Sequence, residues 1–240
     1  MARYLLSAHT YVCVASEYAV FLDLRKDRYS ALEPADALAL CGVVEGWSAG
    51  TAPGVARERI TTSSCEEGLV DALLEERLLT EDALNGKAAI PVPLDRAKTT
   101  LAAPPRQIPC VNRGHLGQFI AAWLVTSAML RILPLKFAVE HVRRRKSRQG
   151  ATSPAFDEKQ ASHLMTAYYI LRPNFFSRVD SCLRDSLTVI EFMARYDIFP
   201  TWVFGVRMNP FAAHSWVQEG SIVVNDAVEH VNTFTPIMAI

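Results

Sequence analysis

The chain has 240 residues, half of them hydrophobic, with five cysteines and no formal net charge. That length builds one large domain or two small ones with a sizeable core. The odd, scattered cysteines without a CxxC pair exclude a disulfide framework and a zinc-finger site.

The charge is uneven. Residues 1–90 carry eight Lys and Arg against fourteen Asp and Glu, a net −6, and residues 91–240 a net +6. Two domains with different surfaces are expected, the acidic one a poor partner for nucleic acid. The start, MARYLLSAHTYVCVASE, lacks the charged head, long apolar run and small-residue cleavage site of a signal peptide, so a cytoplasmic location is expected.

Along residues 4–32 the runs YVCVA, YAVFLDL and RYSAL alternate as an antiparallel meander, the third strand being Arg28–Leu32. EPADALALCGVVEGW follows as a helix with Pro34 in its first turn. A second helix is capped by Ser64 and Glu67 and buries Leu69, Leu73 and Leu74. Prolines 91, 93, 104, 105 and 109 mark residues 91–112 as an extended linker. Leu116–Val142 is apolar, but Gln118, Arg131 and Pro134 leave less than the ~20 residues a membrane span needs. It reads as a buried helix, and the basic run HVRRRKSRQG after it as a solvated helix end. Two more helices and three strand-like runs, TWVFGVRM, AHSWV and SIVVN, complete an α+β order.

The chemistry concentrates late in the chain. Cys182 lies at the start of a helix, with Asp180 a candidate N-cap. The positive helix end favours a thiolate there. In AHSWVQEGSIVVND, His214 and Asp226 lie on two paired strands. A three-residue loop, Glu219 to Ser221, sets them directly opposite, with Cβ atoms about 5 Å apart. A two-residue loop shifts the register by one. The order Cys182, His214, Asp226 suits a nucleophile, a proton carrier and an orienting acid, with the Cys182 N–H as an oxyanion donor. A hairpin that aims a histidine and an acid at a helical cysteine is the core of papain-like and transglutaminase-like folds. Cys13 and Cys41 read as packing residues, while Cys65 and Cys110 have no acid–base pair nearby. His9, His115, His141, His163 and His230 read as surface or core residues. No HExxH, GxxxxGK[ST] or GxGxxG pattern is present, so neither a metal nor another cofactor is expected.

SCLRDSL and then FGVRMNPFAAHSWVQEGSIVVND, over residues 182–226, closely resemble the B proteins of lasso-peptide biosynthesis. LRILPLKFAVEHV is similar to that family's upstream segment. The resemblance implies a papain- or transglutaminase-like cysteine protease domain over residues 113–240, with Cys182 as nucleophile, His214 as base and Asp226 as orienting acid. Residues 1–90, a winged-helix-like α+β segment, are similar in topology to the PqqD-like module that binds precursor leader peptides. That likeness implies a fused protein whose leader docks along the third strand, at Arg28, Tyr29, Ser30, Ala31 and Leu32, by strand addition. The implied partners are a lasso precursor and an ATP-using cyclase resembling asparagine synthetases. Two alternatives share the residues: an acyltransferase of transglutaminase type, and a non-catalytic precursor carrier.

Overall fold

The computed structural model describes residues 4–47, 63–101, 111–148, 156–174 and 182–240. The chain separates into two compact units. The first holds residues 1–93 with segments 206–212 and 235–238. The second holds 94–205, 213–234 and 239–240.

In the first unit, β2 (Thr10–Ala15), β3 (Tyr18–Asp23) and β4 (Arg28–Leu32) form the expected antiparallel meander. Phe21 pairs with Val12 on one side and Ser30 on the other. β3 is buried and β4 largely exposed, as an edge strand should be. A second small sheet was not expected: β1 (Leu5–Ser7) lies between β5 (Leu79–Thr80) and β6 (Gly86–Lys87). The first helix, α1 (Pro34–Ala39), has Pro34 in its opening turn but stops eight residues short of Trp47. Gly42 takes a φ of +82° in the turn that replaces it. Cys41 is therefore exposed beyond the helix rather than packed within it. Trp47 stacks on Phe21 at 5.9 Å and donates its indole N–H to the Ala37 carbonyl at 2.9 Å. Leu73 of α2 (Ser63–Glu75) closes the same core, which Leu69 and Leu74 flank. The side chains of Ser64 and Glu67 lie outside the described residues.

In the second unit, residues 94–101 are not free linker. β7 (Thr99–Thr100) runs parallel to β10 (Ile222–Val223). The carbonyls of Asp95 and Ala97 accept hydrogen bonds from Gln218 and Asn232. The stretch's own N–H groups pair as well, Lys98 donating to the Ser221 carbonyl at 2.9 Å and Leu101 to that of Val223 at 2.7 Å. Within this unit β8 (Thr201–Arg207), β9 (Ala212–Glu219), β10 and β7 neighbour one another in that order.

The long apolar segment is two helices, α3 (Arg113–Ile132) and α4 (Leu135–Arg148), parted at Pro134. Among the described residues no helix is long and apolar enough to cross a membrane. Asp157 caps α5 (Glu158–Leu171) through the N–H groups of Lys159 and Gln160. At the centre lies α6 (Cys182–Met193), buried from Asp185 to Met193. A helix so enclosed must be apolar all round or have its polar groups paired. Here Phe192 packs in a ring cluster with Phe119 and Tyr168. Glu191, 1% exposed, takes Arg145 at 2.7 Å and His141 at 3.0 Å. The basic end of α4 is thus not wholly a solvated face.

Gly205 on β8 leaves room for an indole. A Cβ there would stand 2.8 Å from two ring carbons of Trp216 and 3.0 Å from Phe234. Gly205→Ala is expected to destabilise the protein by about 1–3 kcal/mol through overpacking. Thermal unfolding checks this; a melting temperature at the parent value would contradict the packing described.

Candidate active site

The nucleophile candidate is placed by α6. Cys182 opens that helix and is partly buried. Asp180, the expected N-cap, lies outside the described residues. The Cys182 thiol is hydrogen-bonded to His214, and the backbone N–H groups of Ser215 and Leu183 approach it.

His214 sits near the start of β9, one residue before a buried hydrogen-bond chain. The Ser215 hydroxyl meets that of Ser186 at 2.6 Å, and the Trp202 indole donates to Ser186 at 2.9 Å. This chain locks β8 and β9 to α6, and so the histidine to the cysteine. The imidazole stacks on Trp216 at 5.9 Å and lies 5.0 Å from Phe234.

Asp226 arrives by a different route from the one expected. The hairpin pairs Ile222 with Glu219 and Val223 with Gln218, so the loop is the two residues Gly220 and Ser221. Gly220 takes a φ of +52°, which suits glycine at the first position of a two-residue hairpin turn. The register is therefore one off, and His214 and Asp226 are not opposed strand residues. Strand β10 ends at Val223, and the chain bends. Asn225 fixes the bend by accepting the Val217 N–H at 2.8 Å and donating to Asp185 at 3.1 Å. Asp185 is itself held by Arg172 at 2.8 Å and by the Tyr168 hydroxyl at 3.0 Å. From that bend an Asp226 carboxylate oxygen reaches His214 Nε2 at 2.5 Å. Nδ1 is left for the thiol.

The electrostatics fit an ion pair. Burial pushes the Cys182 thiol up, but His214 and the two backbone N–H groups bring it below its ordinary value. Burial likewise lowers His214, yet Asp226 and Cys182 outweigh it and raise the imidazole to about 9. Burial raises Asp226, and His214, the Ala227 N–H and His230 pull it down further. Cys13 is the contrast: burial alone pushes its thiol up to about 12.

One contact was not visible in the sequence. His230, read as an ordinary surface or core histidine, lies in α7 (Val228–Val231) with Nδ1 3.1 Å from both Asp226 oxygens. Its spacing of four from Asp226 was the available signal, but a four-residue helix has no periodicity to reveal it. His214, Asp226 and His230 offer ligand atoms that all lie within 4.8 Å of one another, the one such group of three among the described residues. Arg28 to Leu32 form β4 in the first unit, with Tyr29 and Leu32 partly buried and the other three exposed.

Residues 122–239 match the family model described as the transglutaminase-like superfamily. The C-terminal part of the chain thus carries a transglutaminase-like domain. No curated protein and no solved structure matches the chain.

A pH prediction follows from the pair. Alkylation of Cys182 by iodoacetamide should persist at pH values below the ordinary thiol range. Turnover should fall on the alkaline side near pH 9, where His214 loses its proton. The stability that His214 gains from its raised value is fully present below 6.5 and lost as pH rises through about 9. Following alkylation against pH by mass spectrometry tests this; an ordinary thiol titration, unchanged in His214→Ala, would contradict it.

Proposed function

We propose that this protein is a cysteine peptidase that removes the leader from a lasso-peptide precursor. The reading rests on one observation above all: a helix-opening cysteine bonded to a carboxylate-held histidine, inside a transglutaminase-like domain. The Cys182 thiolate attacks the carbonyl at the end of the leader. The His214 imidazolium gives its proton to the departing amine, which is the new N-terminus of the core peptide. A thioester to the leader remains. His214 then takes a proton from water, whose oxygen attacks the thioester and frees leader and thiol. Asp226 keeps the ring oriented and its cation stabilised. The freed amine is what a partner cyclase, of asparagine-synthetase type and using ATP, would join to an acidic side chain.

Leader recognition is assigned to a PqqD-like module in residues 1–90. An edge strand with unpaired N–H and C=O groups accepts an added strand, and β4 has that place in its sheet. Ser30→Pro removes one backbone donor there. It is expected to weaken leader binding at least tenfold, about 1.4 kcal/mol, in a protein that still folds. Fluorescence anisotropy with a labelled leader peptide checks this; unchanged affinity would place the leader elsewhere.

A further inference from the structure

We propose that His214, Asp226 and His230 form an inhibitory site for a divalent transition-metal ion, Zn²⁺ foremost. Binding stands on the geometry alone, while inhibition of cleavage rests on the peptidase reading above.

The donor set is two imidazole nitrogens and a carboxylate, all within 4.8 Å. Such ligands select zinc and its neighbours over the oxygen-seeking Mg²⁺ and Ca²⁺. Bonds of about 2.0–2.2 Å in a tetrahedral zinc site set ligand atoms roughly 3.4 Å apart. His230 Nδ1 already stands 3.1 Å from each Asp226 oxygen. His214 Nε2, at 2.5 Å from its oxygen, has to move away by less than about 1 Å. The carboxylate is anchored for the task, since Oδ1 also accepts the Ala227 N–H at 2.7 Å. Access is available through His230, whose side chain is 49% exposed. A fourth position remains for water.

The ion takes the lone pair of Nε2, and the proton there leaves to solvent. His214 then neither leans on Asp226 nor exchanges a proton with Cys182. No electron transfer is involved, and removal of the ion restores the pair. The site therefore acts as a reversible block on the thiol.

The test uses the full chain carrying Cys182→Ala, which cannot turn over, titrated with ZnCl₂ and with MgCl₂ by calorimetry. One Zn²⁺ per chain and no Mg²⁺ are expected. Adding His230→Ala, and separately His230→Gln, should weaken Zn²⁺ at least tenfold. His230 is half exposed, so both variants are expected to fold, and thermal melts verify it. Absent Zn²⁺ binding, or equal binding in a folded His230 variant, would overturn the site. In the parent chain, Zn²⁺ should slow iodoacetamide alkylation of Cys182, and a chelator should restore it. Alkylation unchanged by bound Zn²⁺ would overturn the inhibitory role. These readouts need no cleavage, so a failed peptidase assay leaves them intact.

Discussion

Cys182→Ala is expected to abolish leader removal, by on the order of 10⁴-fold or more, while leader affinity stays at the parent value. The thiol is the only group in the cluster that can form the thioester. Alanine fills part of the same space and leaves the His214–Asp226 contact in place. Leader docking is assigned to β4, in the other unit, so affinity has no reason to change. His214→Ala should fall comparably, because an isolated thiol loses both its proton acceptor and its countercharge. Single-turnover cleavage followed by mass spectrometry separates this from slow product release. Cleavage by Cys182→Ala near the parent rate would show that another group is the nucleophile.

Asp226→Asn is expected to keep the fold and lose roughly 10²–10⁴-fold in rate. The carboxylate accepts from His214, His230 and the Ala227 N–H, three donors for one charge. An amide keeps the shape but cannot accept from all of them. It also removes the charge that holds His214 protonated, so alkylation of Cys182 should slow together with cleavage. Asn at this position with undiminished alkylation would assign the raised imidazole basicity to some other group. The loss should appear in the rate and not in leader affinity.

The candidate residues Cys182 and His214 were legible because their signals are local. A cysteine at a helix start and a histidine in a strand can be read from neighbouring residues. The way Asp226 reaches His214 was not. It depends on a loop of two residues rather than three, and both fit EGS. The bend held by Asn225 and Asp185 is a contact across forty positions, which no periodicity encodes. The chain Trp202, Ser186, Ser215 was hidden for the same reason: buried polar side chains find partners in space. Strands β5, β6 and β7 are two residues long, too short to alternate. The meander from Thr10 to Leu32 was read well, since long strands with tight turns repeat every second residue. The first helix was read too long because GVVEGW is as apolar as a helix face. Its two glycines, at φ of +82° and +73°, instead make turns.

The central claim is that a thioester on Cys182 is resolved by water to release a leader. Incubating the protein with a lasso precursor and a small primary amine, and weighing the intact products, tests it most directly. Two fragments whose masses sum to the precursor plus one water, with no amine incorporated, are expected. An amine-capped leader, or an uncleaved precursor in the presence of a reactive Cys182, would contradict it.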